Sequence, residues 1–281
     1  MSRPTILLRR LLPLGLVLLA ALARAQEPEA GFTFGVVPQR TAIDLARSWV
    51  PILDYLGAKT GYRFEFRTAR DADAFEQRLD TGEFDLVYMN PYQYILSHAK
   101  HGYRVYAKEK DRLLTGLIVV RANSPYREVR ELEGKTLAFP AASAFAASLL
   151  PRAYLSRMGI AYTPAYVASH DSVYIGVSKN LFIAGGGVHQ TLNNLAPEIR
   201  RQLRVVWVSP PVTPHALAAH PRVPAAAVRR IYRALAEMER DPQGKKLLDD
   251  LGFKGIVAAA DREYDGVRAL EPELRKVRAE K

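Results

Sequence analysis

Apolar and polar positions along this chain follow two rhythms that keep trading places, one of period about two and one of period about 3.6. Phe32 to Val37 is a short apolar strand. From about Thr41 to Leu56, Ile43, Trp49, Leu53 and Leu56 fall near helical spacing, with Pro51 marking a kink or the true start of the helix. Tyr62 to Phe66 alternates as a strand, and Asp71 stands where it can cap a helix bearing Phe75 and Leu79. Phe84 to Met89 is an apolar run with Asp80-Thr81-Gly82 ahead of it, the pattern of a buried strand in a parallel sheet. Pro91 suits the first turn of a helix that stops at Gly102, and Tyr103 to Ala107 forms another strand.

The second half repeats the plan. Leu114 to Arg121 and Thr136 to Phe139 read as strands separated by a helical turn at Val129 and Leu132, and a helix runs from about Ser143 to Met158. Tyr166 and Val167 end another strand, Asp171 to Lys179 is helical, and Leu181 to Ala184 is a strand running into Gly185-Gly186-Gly187. Leu203 to Val208 returns as a strand, and from Val223 onward the pattern is mostly helical. Such alternation predicts parallel sheet covered by helices. Two such units imply an α/β protein of two lobes with a cleft between, joined by crossovers at Asp111 to Gly116 and Val208 to Pro214.

The N-terminus changes where this fold must operate. Arg3, Arg9 and Arg10, an apolar stretch from Leu11 to Leu22, and Ala23-Arg24-Ala25 ahead of Gln26 make a secretory signal peptide over residues 1–25. The apolar stretch is broken by Pro13 and Gly15 and is shorter than a membrane span. The chain has no cysteine, so it holds no disulfide in a compartment that permits them and no lipid-modified N-terminal cysteine. A free periplasmic protein, acting as a monomer, is expected. The formal charge is +11, of which the leader supplies four arginines and no acids. The remaining basic residues, such as Arg229, Arg230 and Arg233, are scattered over helix-like segments as on solvated faces. Without a helix-turn-helix, zinc-finger or RNA-recognition signature, nucleic acid is not an expected partner.

Open α/β sheets bind ligands at the carboxyl ends of their strands. There stand Gln39 and Arg40 after the first strand and Asn90, Tyr92 and Tyr94 after the third. Tyr92 and Tyr94 either face a ligand or pack their helix onto the sheet. Gly185 and Gly186, followed by Gly187, Val188 and His189, form a strand-to-helix junction where a ligand can approach the backbone. No Lys-Ser or Lys-Thr follows, so this is not a nucleotide loop. Gly-x-Ser-x-Gly is absent, which leaves an exported hydrolase without its nucleophile, and no enzymatic activity is expected. His98 with His101, or His215 with His220, lack a metal-binding pattern; neither metal nor cofactor is expected.

Three stretches in a fixed order carry a family resemblance: Pro51-Ile52-Leu53-Asp54-Tyr55-Leu56 through Thr60-Gly61, Gly82-Glu83-Phe84-Asp85 into Asn90-Pro91-Tyr92-Gln93-Tyr94, and Ser169-His170-Asp171-Ser172-Val173-Tyr174. Over about residues 32 to 260 the chain resembles the phosphate, phosphite and phosphonate-type periplasmic solute-binding proteins of ABC importers. The resemblance implies a type II-like periplasmic binding fold. Residues 32–111 and 209–281 would form the first lobe and 117–205 the second, each a mixed, mostly parallel sheet flanked by helices. It implies capture of a small oxyanionic solute for a membrane permease; a sensor component serving a histidine kinase or chemoreceptor would use the same fold. The oxyanion would rest on backbone N–H groups and hydroxyls at a helix start, here Ser143, Ala144 and Phe145. His170 would donate to a ligand oxygen, with Asp171 or Ser172 capping its helix. Phosphonate binders carry Ser-Thr-Ser-Gly at the first of these sites, whereas this chain has Ala141, Ala142, Ser143 and Ala144.

Cleavage after Ala25 is testable directly. The intact mass of protein from a periplasmic extract should correspond to a chain starting at Gln26; a product retaining residues 1–25, or one confined to the cytoplasm, overturns export.

Overall fold

The computed structural model describes residues 31–167 and 169–280, so the expected leader lies outside the described residues. The chain begins with β1 (Gly31–Val36), α1 (Ala42–Thr60), β2 (Arg63–Arg67), α2 (Ala72–Leu79), β3 (Leu86–Met89), α3 (Pro91–His101) and β4 (Arg104–Glu109). It crosses to β5 (Leu117–Arg121), β6 (Thr136–Phe139), a wide π turn (Phe145–Leu149) continuing into α4 (Leu150–Arg157), β7 (Thr163–Tyr166), α5 (His170–Ser178), β8 (Ala184–Gly187), α6 (His189–Asn193), α7 (Pro197–Arg200) and β9 (Leu203–Val208). It then returns through β10 (Ala216–Ala219), α8 (Ala225–Glu237), α9 (Pro242–Leu251), β11 (Ile256–Ala258), α10 (Asp265–Arg268) and α11 (Glu271–Ala279).

Two sheets result, one per lobe, ordered β11-β4-β10-β3-β1-β2 and β7-β6-β8-β5-β9. In the first, β1 lies parallel to β2 and β3, and β10 is wedged antiparallel between β3 and β4. In the second, β6 lies parallel to β7 and β8, while β5 runs antiparallel to β8 and β9. Local chemistry sets the helix ends. The Thr41 hydroxyl accepts from Asp44 N–H at 3.2 Å, Asp71 accepts from Ala74 N–H at 2.8 Å, and Asn90 and Gln93 close a reciprocal capping box on α3. Pro51 falls inside α1 on its exposed side, so the helix starts at Ala42 and runs through it, burying Trp49, Ile52, Leu53 and Leu56.

Three elements depart from the reading of the sequence. The strand expected at Leu181 to Ala184 begins only at Ala184 and is made of the glycines, with Leu181 71% exposed. A Cβ at Gly185 would overlap Val173, one at Gly186 the Ala147 carbonyl, and one at Gly187 the Tyr174 hydroxyl. Bare backbone here lets α5 and the π turn press onto the sheet. The second is β10, Ala216-Leu217-Ala218-Ala219, a sequence of low strand propensity that becomes a buried strand because β3 and β4 flank it. The third is β11, too short to register as a pattern.

The lobes are joined at three places. Along the crossovers, Leu114 and Val212 exchange N–H to carbonyl hydrogen bonds of 2.9 Å in both directions, and Ser209 Oγ accepts from Gly116 N–H at 3.0 Å. The third join is α11. Its Leu274 and Val277 are buried in one cluster with Phe145, Leu149, Leu150 and Ala153 around α4. From α4 the fully buried Arg152 donates to the carbonyls of Val277 and Glu280 and, through Nε, to the Tyr162 hydroxyl at 3.2 Å. Arg157 forks onto the Glu273 carboxylate at 3.0 and 2.9 Å. Toward the first sheet, Arg278 pairs with Glu76 of α2 and lies over the Tyr92 ring. The C-terminal helix, expected in the first lobe, is thus fastened to both.

Arg152 is the central fastener. Hydrogen bonds from a charged group contribute roughly 1.5–3 kcal/mol each, so losing all three in Arg152→Ala should lower Tm by about 10 °C or more. Arg157→Ala, at a half-exposed pair, should cost about 1 kcal/mol or less. Thermal unfolding checks both, and an Arg152→Ala protein melting with the parent would show that this side chain does not fasten α11.

Candidate ligand site

Parallel pairing decides which loops meet. Because β7, β6 and β8 run the same way side by side, their carboxyl ends open on one edge of the second sheet. The chain leaves those ends at Phe139, Tyr166 and Gly187, so Ser143 to Phe145, His170 to Ser172 and His189 gather along that edge. In the first sheet the parallel strands β1 and β3 place Gln39, Arg40 and Asn90 at a common edge in the same way.

From the first sheet, Gln39 Nε2 lies 2.9 Å from Nε2 of His215. His215, 8% exposed, stacks on Tyr88 with ring centroids 5.0 Å apart and planes at 17°. Burial, and then the charge of Arg112, push its pKa down to about 3, so the imidazole is neutral. Arg112, on the first crossover, donates through Nη2 to Gln190 Oε1 at 3.2 Å, and its Nη1 stands 3.7 Å from the Glu109 carboxylate, whose pKa burial raises. Gln190 belongs to α6. One residue on, the Thr191 hydroxyl is 3.4 Å from His170 Nδ1 and 3.0 Å from the Tyr174 hydroxyl, which donates to the Val188 carbonyl at 3.0 Å. Gln39 thus pairs with His215 within the first lobe, Arg112 reaches across to Gln190 of the second, and Thr191, next in sequence to Gln190, lies beside His170.

His170 is half-buried, and burial lowers its pKa, leaving a neutral ring able to donate from one nitrogen. Its helix is capped by Ser169, whose hydroxyl accepts from Ser172 N–H at 3.0 Å. Asp171 and Ser172, expected as the cap, are exposed first-turn residues instead. The π turn starts after Ala144, whose carbonyl accepts from both Ser148 and Leu149 N–H, and the first turn leaves the N–H groups of residues 145–147 without helical acceptors. Phe145 is buried in the core shared by the lobes, while Ser143 and Ala144 are half-exposed at the edge. Arg40 and His189 are exposed, with no hydrogen bond or ion pair among the described residues.

Other expected site residues serve the scaffold. Tyr94 is fully buried, donating to Asp261 at 2.6 Å and packed on Tyr264, and Tyr92 is buried beneath Arg278. The Asn90 carbonyl is taken up as the cap of α3. The space over Gly185 and Gly186 is filled by protein, so they do not admit a ligand. His98 and His101 bond to the Tyr103 and Asp80 carbonyls, and His215 and His220 sit at opposite ends of β10. Sequence reasoning weighed His215 only as a metal ligand and passed over Arg112, Gln190 and Thr191. The one available signal was a charged and an imidazole group lying on the two crossovers.

Residues 34–264 match the family model described as ABC transporter, phosphonate, periplasmic substrate-binding protein. The Phosphate-import protein PhnD of Mycolicibacterium smegmatis is 22% identical, the alignment covering 84% of this chain and 83% of the relative. The Phosphonates-binding periplasmic protein of Escherichia coli is 21% identical over 92% and 82% of the two chains. The structure of PhnD1 from Prochlorococcus marinus in complex with methylphosphonate superposes with a TM-score of 0.73 at 17% identity, over 88% of this chain and 99% of that one.

The neutrality of His215 has a measurable cost in acid. An unfolded histidine takes up a proton near its ordinary 6.5, but the folded one refuses it down to about 3. Stability is therefore complete above 6.5 and lost as pH falls below it, by about 1.4 kcal/mol per unit. His215→Gln removes this loss. Between about pH 7 and about pH 5 the variant should lose roughly 2 kcal/mol less than the parent in denaturant unfolding; equal losses would show that the imidazole is not buried.

Proposed function

We propose that this chain, which belongs to the periplasmic substrate-binding proteins of phosphonate-type ABC transporters, captures a small phosphate- or phosphonate-like oxyanion between its lobes. Residues 32–111 and 209–281 form the lobe carrying Gln39 and Arg40, and 117–205 the lobe carrying Ser143 and His170. The observation that supports this reading is the convergence of three strand-to-helix junctions on one edge of the second sheet, among them the start of the π turn and the helix that begins at His170.

The chemistry follows from these groups. Backbone N–H groups at a helix start hold anionic oxygens whatever the side chains are, so the alanines at 141, 142 and 144 remove hydroxyls without removing the donors. His170 adds one N–H donor. Arg40 and Arg112 supply positive charge at the mouth of the cleft, which concentrates anions there. A ligand touching both lobes favours the closed arrangement by its differential affinity and is presented, as a monomer, to the permease of an importer. No turnover accompanies binding.

Calorimetry with phosphate, phosphite and methylphosphonate tests the site. A hydrogen bond to a charged ligand contributes roughly 1.5–3 kcal/mol, so His170→Ala should weaken binding about 10- to 150-fold. Ser143→Ala should cost less, and His98→Ala should leave affinity unchanged. Saturating ligand should also make the particle more compact in small-angle scattering. A His170→Ala protein that binds as the parent does removes this turn from the site, and steady product release would replace binding by catalysis.

A further inference from the structure

Val188 stands between β8 and α6, and its apolar side chain offers α6 no cap. A side chain from another element holds the turn instead. The phenol of Tyr174, on α5, accepts from the Val188 N–H at 3.1 Å, donates to the Val188 carbonyl at 3.0 Å and lies 3.0 Å from the Thr191 hydroxyl. One oxygen thus engages both backbone groups of residue 188. The ring below it is fully buried in a cluster with Leu117, Val119 and Leu192, which fixes the place of that oxygen. Gly187 leaves room for it, since a Cβ there would overlap the hydroxyl. Tyr174 stands four residues after His170, on the same side of α5. Two residues beyond Val188, Gln190 accepts from Arg112 of the first crossover at 3.2 Å.

We propose that Tyr174 is a positioning residue for ligand binding: its hydroxyl joins the start of α5, which carries His170, to the turn that Arg112 holds through Gln190, and so sets where His170 stands in the cleft. The assignment rests on the reading of His170 as a ligand donor. Tyr174, fully buried, does not itself touch the anion. Without the hydroxyl the Val188 N–H loses its acceptor, and the starts of α5 and α6 can shift past one another although the strands beneath them stay paired. A hydrogen bond weakens steeply as its angle opens, so a small displacement of His170 costs affinity with the donor still present. The identity of the anion does not enter, and phosphate and methylphosphonate should lose alike.

Calorimetry with phosphate and methylphosphonate, well below the melting temperature of each protein, tests it through a double-mutant cycle. Tyr174→Phe should weaken binding of both about 3- to 10-fold, the change one neutral hydrogen bond makes. In a His170→Ala background the same substitution should cost less than about twofold, because the group it positions is gone; a merely structural role would cost the same in both backgrounds. Thr191→Val removes the phenol's side-chain partner and should weaken binding in the same way, again only while His170 is present, and Thr191→Ser should keep the parent's affinity. This second pair decides the matter if Tyr174→Phe does not fold. Parent-like binding by Tyr174→Phe and Thr191→Val, or equal losses with and without His170, overturns this assignment alone. A His170→Ala protein that binds both anions as the parent does overturns the reading of His170 and this assignment with it.

Discussion

The mutual hydrogen bonds of Leu114 and Val212 are the contact on which the site depends. They pair the crossovers antiparallel, and the register they set puts residue 112 opposite residue 214. Arg112 thereby comes beside His215, close enough for its charge to disfavour protonation of the ring. From the same position its guanidinium reaches Gln190 on the second lobe. A slip of this pairing would carry the cation away from the imidazole. The junction of the lobes thus carries the Arg112 to Gln190 bond as well as connecting the sheets, and Gly116 belongs to it for a steric reason. A Cβ there would stand 2.8 Å from Pro151, at the first turn of α4.

How much of this the sequence disclosed depended on the range of the forces involved. The alternation of strands and helices around Phe34, Trp49, Leu86 and Phe139 was legible because periodicity and caps such as Thr41, Asp71 and Asn90 act within a few residues. Ala216 to Ala219 was not, since only burial between β3 and β4 makes those alanines a strand. The site divided along the same line. Gln39, Ser143 and His170 lie at strand ends, which a parallel sheet brings together. Tyr92 and Tyr94 share that position, yet sequence cannot tell an aromatic that faces a ligand from one that packs under a distant helix. His215 and Arg112 take their meaning from partners far along the chain.

The basic character of the chain looks different once partners are assigned. Arg278 with Glu76, Arg157 with Glu273, Lys108 with Glu263 and Lys110 with Glu239 fasten the later helices to earlier elements. Glu76 is largely buried, and burial raises its pKa against the pull of Arg278. These charges are structural. Arg40, by contrast, has no ion pair among the described residues, and Arg112 has a 3.7 Å contact to Glu109 and a hydrogen bond to Gln190.

The place of β10 has a consequence for the order in which this chain can assemble. Both neighbours of β4 in the first sheet, β10 and β11, follow it only after the whole second sheet has been made. Until residues 216–219 and 256–258 emerge, β4 has two open edges and β3 has one. Residues 117–208, in contrast, contain every strand of the second sheet. As the chain emerges from its N-terminus, the part begun first is completed last, and the inserted lobe is the one able to close its hydrogen bonding unaided.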